Sequence, residues 1–154
     1  MSIQIGDQAP DFTLPDQDGN SLQLSSLRGK RVVIYFYPKD NTPGCTLETQ
    51  DFSKLYKKFK NLNYEVVGIS KDNIKSHLGF KKKSKVPFHL LCDEKLIAQK
   101  KFGVWKKKSF MGKKFMGTIR STIVINKGKI LKTWFNVRVK GHAQEVFDFI
   151  KQTK

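Results

Sequence analysis

The sequence predicts an α/β fold: a mixed central β-sheet with helices on both faces and an N-terminal β-hairpin. Two apolar runs, Val32-Val33-Ile34-Tyr35-Phe36-Tyr37 and Tyr64-Glu65-Val66-Val67-Gly68-Ile69-Ser70, have the length and the β-branched and aromatic content of buried strands. Between them Leu47, Phe52, Leu55 and Phe59 recur at helix-like spacing, and strands joined through a helix run parallel. Further on, residues 118–126 and 129–139 are strand-like about a Lys127-Gly128 turn, which predicts an antiparallel hairpin. Parallel and antiparallel pairing in one chain, with helices between, gives the mixed sheet.

Taken in order, Phe12-Thr13-Leu14 and Leu22-Gln23-Leu24 alternate apolar and polar residues about Asp18-Gly19-Asn20. That is a hairpin on a glycine turn, followed by a short turn over 25–29. Pro38 ends the first buried strand, and Asp40, Asn41, Thr42, Pro43 and Gly44 form a turn. A helix then opens at Cys45 and runs to about residue 62. Asn73 caps a helix reaching about Lys83, with Ile74 and Leu78 on its apolar side and Phe80 reaching the core, although Gly79 weakens its second half. His77 reads as a packed or surface residue rather than a ligand. Pro87 marks a boundary, residues 88–91 form a short strand ending at Cys92, and Asp93 caps a helix over 94–102. Residues 103–117 carry Trp105, Phe110, Met111, Phe115 and Met116 among lysines and glycines. This is expected to be a loop packing its aromatics over the core near the reactive turn, although such a pattern also suits stacking on single-stranded bases. A final amphipathic helix spans 142–151 through Val146, Phe147 and Ile150. There is no internal repeat and no linker, and 154 residues fit one domain, 1–154.

The net charge is +17, but only four of the 30 basic residues are arginine (Arg28, Arg31, Arg120 and Arg138), leaving 26 lysines. Arginine is the better fork for phosphate and bases, so no specific nucleic-acid partner is expected; solvated lysine faces explain the charge. The chain has no run of apolar residues long enough to cross a membrane, and its first residues have no basic region followed by an apolar stretch. Two cysteines in an unexported chain suit a reducing compartment, so the expectation is a cytoplasmic protein with no membrane partner.

Cys45 falls at the first turn of a helix that follows a buried strand. Unpaired amide groups and the positive end of the helix dipole favour thiolate there, and thiolate is the reactive form. The competing reading is a cysteine packed as a small hydrophobe. Thr42 offers a hydroxyl that donates and accepts, and Pro38 and Pro43 stiffen the loop without adding donors. No cysteine stands three residues from Cys45, which excludes a thioredoxin-type disulfide reductase centre.

Pro38, Thr42 and Cys45 spell Pro-x-x-x-Thr-x-x-Cys, which resembles the active-site motif of peroxiredoxins. The wider string YPKDNTPGCTLE is similar to the bacterioferritin comigratory protein, or Q-type, branch, as are IGDQAPDFTLPDQDG, IRSTIVIN and WFNVRVKGHAQEV. The resemblance spans nearly the whole chain and implies a thioredoxin-like fold. It also implies thiol-dependent reduction of hydrogen peroxide and organic hydroperoxides through a sulfenic acid on Cys45, with no cofactor and no metal. Thr42 would bridge peroxide and sulfur, and Pro38 would shield the thiolate. Arg120 would serve the thiolate and the peroxide; on the residues alone, a buried salt bridge to a carboxylate explains it too. Recycling would use thioredoxin or a small thiol, by a monomer or weak dimer. One departure matters: many members carry a second cysteine five residues after the first, where this chain has Gln50. Cys92 is the candidate resolving residue. Two strand spacings, about 10 Å, exceed the disulfide limit of about 7 Å between Cα atoms, so pairing needs local unfolding. Otherwise Cys92 is a packed bystander. A peroxide-sensing redox-regulatory or chaperone-like protein is the alternative function.

Overall fold

Strand β3 (Arg31–Phe36) sits at the centre of the molecule because every second side chain is apolar on both of its faces. In the computed structural model, which describes residues 3–27 and 31–153, Ile34 and Phe36 enter one core cluster. Val33, Tyr35 and the following Tyr37 enter the other. A strand buried on both faces loses the polar alternation of a surface strand, which is why it reads as one apolar run. The elements before it are a hairpin of β1 (Thr13–Pro15) and β2 (Ser21–Gln23) and a 3-10 turn, Leu24–Leu27; Gly29, at the end of the expected turn, lies outside the described residues.

After β3 come α1 (Pro43–Asn61), β4 (Tyr64–Ser70), α2 (Ile74–Ser84), β5 (His89–Cys92) and α3 (Ile97–Lys101). Then follow β6 (Trp105–Phe110), β7 (Lys113–Thr118), β8 (Ser121–Asn126), β9 (Lys129–Phe135) and α4 (His142–Gln152). The main sheet has the order β5-β4-β3-β8-β9. Its β3–β4 and β4–β5 pairs are parallel, and its β3–β8 and β8–β9 pairs antiparallel, as expected. Residues of α1, α2 and α4 pack on one face; α3 and the N-terminal hairpin cover the other. Gln17, in the hairpin turn, accepts the amide of Leu90 at 3.1 Å and so occupies part of the β5 edge.

Packing across the sheet explains one glycine. Gly68 pairs with Tyr35, and a Cβ on it would lie 2.7 Å from the tyrosine ring. Only glycine lets that ring cross β4, where it stacks on Phe52 at 4.7 Å and directs its hydroxyl to Thr49 at 2.9 Å.

Several expectations need correction. Residues 103–117 are not a loop packed on the core: they form a separate antiparallel hairpin, β6–β7, turning at Met111 and Gly112, whose φ values of 51° and 80° make the strand-compatible tight turn. Phe110 and Phe115 stand in solvent, and Trp105 is half-buried. The helix expected over 94–102 begins only at Ile97, because Leu96 takes a positive φ of 61°. Asp93 still caps it, accepting from Ala98 and Gln99. Ile74 and Leu47 point outward, whereas His77 and Phe80 supply the buried side of α2. The strand expected over 118–126 starts at Ser121, so Arg120 lies in the junction after β7, not in a strand, and β9 ends at Phe135 rather than Val139.

Candidate active site

The chain leaves β3 through Tyr37 and Pro38, turns at Asp40-Asn41 and enters α1 with Thr42 as its N-cap residue. Pro43 fits the first helical position, where the missing N–H costs nothing. Thr46 is the first amide to find a carbonyl, that of Thr42 at 2.9 Å. Thr42 gives the helix no side-chain cap; its hydroxyl instead donates to the Lys39 carbonyl at 2.8 Å. The amides of Gly44 and Cys45 therefore remain available as donors, and the Thr42 oxygen keeps its lone pairs to accept. Cys45 is 1 % exposed at this helix start, and half-buried Pro38 stands at the other end of the turn, just after β3.

Arg120 reaches this point from the same end of the sheet: it immediately precedes Ser121, which pairs with Phe36 at the end of β3. Its Nη1 donates to Glu48 Oε1 at 2.8 Å, and its guanidinium lies against Gly44, the residue before Cys45. Burial opposes the arginine charge, but Glu48 and then Cys45 outweigh it and hold the pKa above the ordinary value. Glu48 stands three residues after Cys45, one turn along the buried side of α1, with its second carboxylate oxygen unpartnered. Burial raises its pKa to about 7 despite Arg120. Gly44 makes room for the guanidinium: a Cβ there would meet Arg120 Nη2 at 3.3 Å and Val139 at 4.0 Å. Lys108, whose Nζ donates to the Thr118 carbonyl at 2.9 Å, adds a second cation, its pKa lowered by burial and by Arg120. A surface groove of about 440 Å³ between β9 and α4 contains none of these residues.

The pattern of the AhpC/TSA family matches residues 5–133. Putative peroxiredoxin bcp of Helicobacter pylori is 47 % identical over 147 residues, covering 95 % of this chain and 97 % of the relative. This chain belongs to the AhpC/TSA family, on its bacterioferritin comigratory, Q-type peroxiredoxin branch. Peroxiredoxin Bcp of Bacillus subtilis is 43 % identical over 152 residues, with 98 % and 97 % of the two chains covered. Among solved structures, a cysteine mutant of Xylella fastidiosa PrxQ superposes with a TM-score of 0.94 at 35 % identity, over 99 % of this chain and 98 % of its own. The Xanthomonas campestris bacterioferritin comigratory protein, trapped as intermediate and ligand complexes bearing on alkyl peroxide reduction, gives 0.90 at 34 % identity, with 98 % and 97 % covered. The thioredoxin-like fold expected from the motif is thus established.

In this peroxiredoxin the second cysteine is elsewhere. Cys92 ends β5, which β4 separates from β3. It is buried, with Sγ 3.8 Å from the Asp16 carbonyl oxygen, and burial followed by Glu94 and Asp40 pushes its thiol up to about 12. Both cysteines are free.

Sequence reasoning missed Glu48, Lys108 and a network behind the loop. Asp40 accepts from the Tyr37 hydroxyl at 2.7 Å and the Ser76 hydroxyl at 2.8 Å, and the same carboxylate lies 2.7 Å from His77 Nδ1. His77 Nε2 lies 2.8 Å from the Leu91 carbonyl oxygen, so one fully buried ring ties the Cys45 loop to β5. The ligand-type atoms of Asp40, Asp72 and His77 lie within 4.8 Å of one another. Asp72 is already accepting from the Asp40 amide and the Ser70 hydroxyl. With its bonds spent inside the protein, the cluster serves to hold the loop.

Proposed function

We propose that this chain is a thiol-dependent peroxidase that reduces hydrogen peroxide and organic hydroperoxides at Cys45. The observation that supports this most directly is Arg120, which donates to the buried Glu48 carboxylate and lies against Gly44, next to the buried helix-start thiol of Cys45. The Cys45 thiolate attacks the terminal oxygen of the peroxide. A sulfur–oxygen bond forms, the oxygen–oxygen bond breaks, and the other oxygen leaves as alkoxide or hydroxide and takes a proton. The product on the enzyme is a sulfenic acid. Arg120 and the free amides of Gly44 and Cys45 stand where charge builds on the leaving oxygen. The Thr42 oxygen, with its own proton committed to Lys39, accepts a hydrogen bond from the peroxide and helps fix the line of attack. Pro38 shields the thiolate.

Recycling needs a second thiol, which condenses with the sulfenic acid to a disulfide and releases water. Gln50 cannot do this. Cys92, buried and with its thiol held protonated, is poorly placed to do so without unfolding. The reading supported best is a one-cysteine cycle with an external reductant, a small thiol or a thioredoxin-like protein. Steady-state peroxide consumption with each donor tests it, alongside Cys45→Ser and differential alkylation. Cys45→Ser is expected to abolish turnover with the fold intact, and Cys45 to alkylate before Cys92. Near-wild-type turnover in Cys45→Ser would sink the mechanism.

A further inference from the structure

Among the described residues strands β6 and β7 pair only with each other, so the hairpin stands as a separate two-stranded ribbon. Its far end is apolar and bare: Phe110 is 67 %, Met111 87 %, Phe115 47 % and Met116 49 % exposed. Scattered single exposures are ordinary, but four large apolar side chains bared together at the end of one two-stranded ribbon mark a contact. The register shows how it is built. Phe110 lies opposite Lys113, Phe115 opposite Lys108, and Met116 opposite Lys107, so each of these three has a lysine directly across from it, Phe110 and Phe115 on one face of the ribbon and Met116 on the other. Between Glu94 and Glu145 the chain contains no acidic residue, and the ribbon's five lysines go unneutralised from within that stretch.

We propose that the tip of this hairpin docks on an anionic lipid surface, Phe110 and Met111 entering the headgroup boundary while Lys107, Lys113 and Lys114 extend their ammonium groups to the lipid phosphates. Long lysine stems run along apolar surface and keep their charge at the polar level, the arrangement that interfacial segments use. Anionic headgroups attract such clusters additively. A second copy of the chain is a poor occupant, because it would bring the same lysines against these. Nucleic acid is disfavoured too: the ribbon has no arginine to fork a phosphate, and methionine at the very tip gives no ring to stack on bases. The contact is peripheral, since among the described residues no helix is long and apolar enough to cross a membrane. It departs from the expectation of no membrane partner. Because β7 runs on through Ile119 into Arg120, a seated tip would hold the Cys45 site at a fixed height above the lipid.

Co-sedimentation with vesicles tests this without needing peroxidase activity. The protein is expected to bind equimolar phosphatidylglycerol–phosphatidylcholine vesicles at least about tenfold more strongly than pure phosphatidylcholine, with binding falling as salt rises. Phe110→Ser with Met111→Ser should weaken that binding about tenfold, the loss expected for two apolar side chains partly removed from lipid, while keeping wild-type turnover of a soluble hydroperoxide. Lys113→Glu with Lys114→Glu should weaken it by more than about tenfold. Lys54→Glu with Lys57→Glu, the same charge change on exposed positions of α1, should stay within about twofold if the ribbon rather than net charge is responsible. Equal losses in the α1 variant, unchanged binding after the Phe110 and Met111 substitutions, or displacement from vesicles by a single-stranded oligonucleotide bound through the same lysines would each overturn the proposal.

Discussion

Replacing Glu48 with glutamine should change how the stability of this protein depends on pH. Burial raises the Glu48 pKa from 4.5 to about 7, against the pull of Arg120. At about 1.4 kcal/mol per tenfold change in proton affinity, that rise corresponds to about 3 kcal/mol. The sign follows from which state holds the proton. Between these two pH values the folded protein keeps a proton on Glu48 that the unfolded chain has lost, so stability falls as pH rises. The contribution is whole below about pH 4.5 and gone above about pH 7. Glutamine keeps an acceptor for Arg120 Nη1 but cannot ionise. Urea unfolding of both proteins across this range, compared as a difference so that shared titrations cancel, should show the wild type losing about 3 kcal/mol relative to Glu48→Gln. A flat difference, or one that grows with pH, would mean that the arginine outweighs burial and that the carboxylate is comfortable as an anion.

Cys92→Ser should leave multiple-turnover peroxide consumption nearly unchanged, because Cys92 is buried and its thiol is pushed up to about 12; loss of turnover with a fast first peroxide step would make it the resolving residue. Gly44→Ala places a Cβ 3.3 Å from Arg120 Nη2 and should displace the guanidinium by a few tenths of an ångström. The peroxide step, followed by stopped-flow fluorescence, should slow roughly tenfold while thermal stability holds, since the end of a flexible side chain gives way before the backbone does. Tyr35→Phe removes the partner of the buried Thr49 hydroxyl and should cost about 1–2 kcal/mol in urea unfolding, with no change in the rate of peroxide attack.

Much of the frame is legible in the sequence because burial on two faces leaves a plain mark. Val32 to Tyr37 and Tyr64 to Ser70 are apolar runs for that reason, and Cys45 at a helix start follows from Pro38 and the turn residues after it. The pairing that completes the site is less visible. Arg120 and Glu48 stand 72 residues apart, and nothing local joins them. A signal did exist, since Glu48 puts a charge one turn from Cys45 on the side of α1 that also carries Phe52 and Phe59. The β6–β7 ribbon escaped for the opposite reason. With neither face covered near its tip it has no period-2 apolar alternation, and lysines and aromatics follow one another as they do in loops. His77 was legible only as packed; its partner Asp40 lies 37 residues away.

The ring of His77 sets a lifetime. It joins Asp40, in the loop that carries Cys45, to the Leu91 carbonyl just before Cys92, and neither partner sees water. Leaving a buried polar group unpaired typically costs about 1–3 kcal/mol, so an excursion that pulls the loop from β5 and breaks both bonds of the ring costs about 3–5 kcal/mol. At about 1.4 kcal/mol per decade, the released loop is populated on the order of one molecule in a hundred to one in several thousand. In the proposed one-cysteine cycle, a sulfenic acid formed on Cys45 would wait in a closed frame for a thiol to arrive from outside. In that cycle its persistence would depend on the supply of reductant rather than on motion within the chain, and a second peroxide arriving first would carry the sulfur on to the sulfinic state.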